Sequence, residues 1–145
     1  MKIRAFARCE SAAALVEFAI VLPILLLLVF GIVDFGRALY TINNLTSAVR
    51  EGARLASTQI SPDPTTGGSK AAVTTAVQSY VVAFGGNAGA PTVSESFVGA
   101  PPAMQSITVQ IVNYPFTPIT PLAGLIGLGT IRMSPSATFR WEAAP

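Results

Sequence analysis

Apolar positions change their spacing several times along this chain, and each spacing predicts a different element. Phe18 to Val33 reads FAIVLPILLLLVFGIV, sixteen residues without a charge, which as a helix covers about 24 Å at about 1.5 Å per residue. That is slightly short for the hydrocarbon core of a bilayer. Adding Ala12 to Val16 takes the span past twenty residues, with Glu17 as the one ionisable group inside it. Beyond Asp34, apolar or small residues at Phe35, Ala38, Leu39, Ile42, Leu45, Val49, Ala53 and Ala56 recur every three or four positions, the period of one helix face. The membrane helix is therefore predicted to continue outward as an amphipathic stem.

Ser61-Pro62-Asp63-Pro64-Thr65-Thr66-Gly67-Gly68 is dense in turn formers and ends the stem. Ser69 is placed to cap a second helix, whose stripe runs Val73, Val77, Tyr80, Val81 and Phe84 and whose stop is Gly85-Gly86. The period then falls towards two. Thr92 to Val98, Ser106 to Tyr114, and Ile131 to Trp141 with Pro135 interrupting it read as three strands. In the second, Ile107, Val109 and Ile111 alternate with Thr108 and Gln110, the mark of a strand buried on one face. The expected fold is α+β: a long N-terminal transmembrane helix and stem, then one helix on a roughly three-stranded antiparallel sheet. The expected division is a basic leader over 1–12, the transmembrane helix over 13–34, the stem over 35–60 and the α+β domain over 61–145.

Between the second and third strands, Tyr114 to Gly129 is a proline-rich turn followed by an apolar, charge-free stretch at 122–129. A solvated loop is not built this way. The stretch reads either as core folded under the sheet or as an apolar patch for a partner or the membrane surface.

Composition sharpens the membrane reading. Charged residues make up 11% of the chain, under half of the roughly 25% usual in soluble domains. The basic surplus behind the net charge of +2 lies in Lys2, Arg4, Arg8, Arg37, Arg50 and Arg54, which flank the apolar run and outnumber the acids there, while the region from Ser57 onward is neutral. No basic surface interleaved with aromatics is present, which argues against nucleic acid. Lys2, Arg4 and Arg8 before the span, against Arg37 close behind it, place the N-terminus in the cytoplasm and export the rest. Cys9 is the single cysteine and the chain has no histidine, so an intrachain disulfide, His-dependent triads and His-containing zinc sites are excluded.

Two residues inside the span carry chemistry. A carboxylate within hydrocarbon costs roughly 2.5 to 3.5 kcal/mol and is normally paired or functional, which singles out Glu17 over the alternative of snorkelling to the interface. Pro23 removes a backbone hydrogen bond and is expected to bend the helix, although membrane helices tolerate proline when neighbours re-satisfy the freed groups. Arg37 follows Asp34 by three, an ion-pair spacing read as exposed and worth a few tenths of a kcal/mol. Arg50 and Arg54, one turn apart, read as a solvated edge.

Three segments, Ala13-Ala14-Leu15-Val16-Glu17-Phe18-Ala19-Ile20-Val21-Leu22-Pro23, Phe30-Gly31-Ile32-Val33-Asp34-Phe35-Gly36-Arg37-Ala38 and Arg50-Glu51-Gly52-Ala53-Arg54, together resemble the TadE-like family of minor pilins from tight-adherence pilus systems. The resemblance implies a pseudopilin of the bacterial cytoplasmic membrane whose basic leader is removed by a prepilin peptidase. In that family the glutamate is the fifth residue after the cut, so the resemblance puts the cut between Ala12 and Ala13. The family's usual glycine before the cut is alanine here. The implied partners are the membrane, the peptidase, other pilin-like subunits and pilus assembly proteins, with no cofactor, metal or small-molecule substrate.

A cut before Ala13 frees an ammonium group beside the Glu17 carboxylate, and the pair can neutralise within one subunit or between neighbours. The competing class is an uncleaved anchored module whose outer domain binds a partner protein. An enzyme fits least, since Asp63, Glu95 and Glu142 are the acids past the stem and no histidine or cysteine accompanies them.

Overall fold

A computed structural model of the chain describes residues 9–58, 68–83, 89–99, 106–120, 127 and 129–140. One continuous helix, α1 (Cys9–Ser57), carries both the apolar run and the predicted stem, and Pro23 lies inside it. A second helix, α2, spans Gly68–Ala83, so Ser69 falls inside its first turn rather than at the cap position before it. Phe84, the two glycines after it and the turn at 61–67 lie outside the described residues.

Three strands form the main sheet in the order β1 (Thr92–Val98), β2 (Ser106–Val112) and β5 (Ser136–Arg140). Both pairings are antiparallel. A separate two-stranded ribbon pairs β3 (Tyr114–Phe116) with β4 (Ile131–Met133). The architecture is α+β, as the spacing predicts.

The sheet and the ribbon are one long hairpin with a bulge in it. From Gln110↔Ser136 to Tyr114↔Met133 the pairing advances four positions on one arm and three on the other. One extra residue is thus accommodated on the first arm, which bends it and increases its twist. Asn113 takes up the bend with φ 54°, a left-handed conformation that asparagine tolerates better than most side chains. Pro135 sits on the other arm, where it has no N–H for a ladder. Its carbonyl accepts from Ile111 N at 3.0 Å, and Ser134 Oγ accepts from Asn113 N at 3.0 Å.

The bulge also resets which residues face inward. Ile107, Val109 and Ile111 are buried along β2, and after the extra residue the buried positions become Tyr114 and Phe116. Strict alternation alone would have turned Asn113 and Pro115 to the core. The predicted single strand Ser106–Tyr114 is therefore two, and the predicted last strand is likewise split around Ser134-Pro135. Trp141 lies outside the described residues.

The inner sheet face is covered by both helices. Leu45, Ala48, Val49, Ala53 and Ala56 from α1 meet Val73, Val77 and Val81 from α2 and the three buried residues of β2 in one cluster. Val93, Phe97 and Ala137 close its margins. Small residues on α1 let α2 come close: a side chain at Gly52 would run into Val77 Cγ2, with Val73 Cγ1 and Val109 Cγ1 each 3.5 Å from its first carbon. Gln78 Nε2 donates to Pro91 O at 3.2 Å and ties α2 to the entry of β1. The opposite sheet face is polar, with Thr108 and Thr138 hydroxyls 2.7 Å apart across β2 and β5.

Candidate functional site

Two halves of α1 live in different surroundings. From Leu45 to Ser57 the helix contributes to the core. From Ala12 to Val33 every residue is exposed except Leu22, which is half-buried. None of its most apolar window is buried within the fold, and the helix is long and apolar enough to cross a membrane. Leaving that many leucines, isoleucines and valines in water is unfavourable by the ordinary hydrophobic effect. The surface needs an apolar surrounding that the described residues do not supply.

Ala12, Ala13 and Glu17 all lie on this bare half and are exposed. Ala13 and Glu17 are four residues apart and so share a face, separated by about 6 Å along the axis. The Ala12–Ala13 bond lies inside the helix, which begins at Cys9. Pro23 is exposed within the same stretch; its missing donor leaves the carbonyl one turn earlier without its usual partner.

Where the bare half ends, a cluster forms that spacing did not foretell. Asp34, expected on an exposed edge, is 8% exposed. Its carboxylate accepts hydrogen bonds from Ile119 N at Oδ1 and from Thr120 N at Oδ2, both at 2.9 Å, and Thr120 Oγ1 donates to Oδ2 as well. Arg37 Nη1 is 3.3 Å from Oδ1, so the pair does form, but as one part of a larger arrangement. The Arg37 guanidinium also lies over the Phe116 ring, 5.5 Å from its centroid, close enough for a cation–π contact. Asp34 thus clamps the chain leaving β3 onto α1 at the end of the apolar run. Two backbone donors turned onto one carboxylate also explain how the irregular segment at 119–120 satisfies its amides.

The clamp predicts a local effect. Replacing Asp34 by Ala should strip the Ile119 and Thr120 amides of hydrogen-exchange protection by on the order of tenfold or more, the scale of a lost charge-assisted hydrogen bond. Amides of β2 should keep theirs. Thr120→Val, which removes the hydroxyl and keeps both amides, should do much less. Equal protection in wild type and Asp34→Ala would show that the carboxylate does not hold this segment.

The remaining polar positions are ordinary. Arg54 donates to Glu51 through Nε at 3.0 Å and Nη2 at 2.6 Å on an exposed face. Those hydrogen bonds, helped by the Arg54 charge, hold the Glu51 carboxyl below its usual range, though exposed pairs of this kind contribute little to stability. Arg50 is exposed beside them. Glu95 is half-buried on the inner face of β1, opposite Val109. Asp63 and Glu142 lie outside the described residues. Among the described residues no group of three or more histidine, cysteine, aspartate or glutamate side chains is placed to hold a metal ion.

The structure by itself therefore presents a bare apolar helix whose far half packs on a small α+β domain. The comparison with known families is more specific: residues 12–54 match the family model described as TadE-like protein. That segment covers the bare half of α1, the Asp34–Arg37 pair and the packed half as far as Arg54. No curated protein and no solved structure matches the chain.

Proposed function

We propose that this chain is a membrane-anchored, pilin-like subunit that takes part in assembling a tight-adherence type pilus, held in the bacterial cytoplasmic membrane by the Ala12–Val33 part of α1. The observation that carries the reading is the uncovered apolar helix, coincident with the TadE-like match. The basic residues before the span support a cytoplasmic N-terminus and an extracytoplasmic sheet. No catalytic step is required; the work is done by helix-to-helix and helix-to-lipid packing.

Processing belongs to the same proposal. A prepilin peptidase would cut between Ala12 and Ala13, and the new amine would then lie one turn from Glu17 on the same face. Within a subunit the two charges would neutralise each other in a medium where either alone is costly. Between subunits the same pair would set the stagger of neighbouring helices, a role in which buried ion pairs are best attested. Pro23, six residues further on, would provide a place for the helix to bend when packed.

The alanine at position 12, where the family has glycine, favours one other reading: an uncleaved anchor whose outer domain docks a partner protein. Mass spectrometry of the N-terminal peptide, taken from protein purified out of its native membrane, separates the two. A start at Ala13 is expected. A start at Met1 removes the processing step and leaves the anchored module.

A further inference from the structure

We propose that the outer domain does not stand free on its stem but is seated on the bilayer surface, with Ile119 and Ile131 in the boundary between headgroups and acyl chains. The inference rests on the reading that α1 spans the membrane, and it adds a second, non-helical point of lipid contact.

Height is the first argument. Ala12–Val33 covers about 33 Å as a helix, which fills a hydrocarbon core of about 30 Å. Asp34 then stands at the edge of that core. The Ile119 amide is 2.9 Å from the Asp34 carboxylate, so Ile119 is held within a turn of the same level. Ile131 is paired with Phe116, whose ring lies under Arg37. It therefore belongs to the same layer.

Surface character is the second. At this level Ile119 is 65% exposed, Ile131 41%, and on the helix Phe35, Leu39 and Tyr40 are exposed as well, with Thr117, Thr130 and Arg132 as the polar side chains exposed beside them on the ribbon. Tyr40 stands about 9 Å beyond Asp34 along the axis, a little over the roughly 5–7 Å depth of one headgroup layer, where tyrosine is the favoured anchor. On α1 the exposed apolar side chains of the span thus run on through Phe35, Leu39 and Tyr40. Further along α1 the apolar side chains turn inward to the sheet.

Polar satisfaction is the third. Irregular backbone is tolerated near hydrocarbon only where its amides have partners, and the amides of Ile119 and Thr120 both have one in Asp34. Arg37 lies beside that carboxylate as counter-charge, so the cluster brings no uncompensated ion into the layer. A water-facing loop needs none of this. The occupant these features fit is a lipid surface.

The test uses the full chain in phosphatidylcholine vesicles, with Cys9→Ser as background and one environment-sensitive fluorophore on a single new cysteine. Leu27→Cys reports the span, Ile119→Cys the seat, and Ser94→Cys the polar sheet face. Nitroxide lipids labelled near the headgroup should quench position 119 strongly and position 94 hardly at all. Adding Asp34→Ala should expose 119 to aqueous iodide while position 27 stays in lipid. Iodide quenching of 119 in the unaltered clamp overturns the proposal. Protection of 119 from both quenchers also overturns it, in favour of cover by a second protein copy. Failure of bilayer-centre nitroxides to quench position 27 is a different result: it defeats the spanning reading, and this inference with it.

Discussion

Gly52→Val should separate the two helices and cost roughly 3 kcal/mol or more of domain stability, the upper end of what overpacking a tight core costs. Gly52 is buried where α1 meets α2, and its first added carbon would overlap Val77 Cγ2. Val77 has little room to yield, being fully buried in the same cluster as Val73 and Val109. Gly52→Ala is the finer test. Helix propensity favours alanine over glycine by about 1 kcal/mol, against about 1–3 kcal/mol for forcing one methyl into a packed site. The expected sum runs from no change to a net loss of about 2 kcal/mol. Gly36, also in α1, is the control, because a side chain there meets nothing within 4 Å. Gly36→Ala should leave the domain as stable as before or gain up to about 1 kcal/mol. Chemical unfolding in detergent micelles, followed through the near-ultraviolet signal of the sheet aromatics, measures all three. Equal stability of Gly52→Ala and Gly36→Ala would mean that α2 is not held against α1 as closely as described.

This contrast bears on how the family-like segments work. Residues 50–54 read in sequence as a motif with two arginines at its ends, and the arginines draw attention first. In three dimensions Arg50 and Arg54 are exposed, and the constraint falls on Gly52 and Ala53 between them. Small size at those positions has a partner 25 residues away in α2, which no local spacing announces. Helix α1 itself was legible because an uncharged run and a three-four spacing are both properties of one segment. The α2 stripe was legible for the same reason, and so was the alternation of β2.

What stayed hidden depends on contacts between distant segments. The bulge is one example. Buried positions pass from odd to even numbers between Ile111 and Tyr114, with Asn113 at the change and Pro135 on the opposing arm. Once the pairing is known that parity shift is visible in the sequence, but a one-sided reading takes it as a single strand. Asp34 is the other example. Its partners are two backbone amides and a hydroxyl 85 and 86 residues away, and amides leave no trace in residue type. The local spacing revealed Arg37 alone and so understated the aspartate. Glu17 stands apart: it is exposed, and the cost proposed for it follows from the medium that the apolar run implies rather than from any contact.

Glu17→Ala is accordingly expected to separate insertion from assembly. Removing a carboxylate from within the span relieves roughly 2.5–3.5 kcal/mol of transfer cost, so the variant should enter the membrane at least as well as the wild type. Its folded domain should be unchanged, since Glu17 is exposed and far along α1 from the packed half. Recovery of pilin-like partners by cross-linking in native membranes should nevertheless be lost, because the amine of Ala13 on each processed subunit would have no carboxylate to meet. Glu17→Gln refines the cause. It keeps the size and the hydrogen-bonding capacity but not the charge, so it should behave like alanine if the charged pair is what sets the stagger, and like wild type if a hydrogen bond is enough. A Glu17→Ala chain that inserts and still captures its partners at the wild-type level would remove the pairing from the account. The apolar helix would then act as an anchor alone, with the Asp34 clamp and the sheet left to make whatever contacts assembly needs.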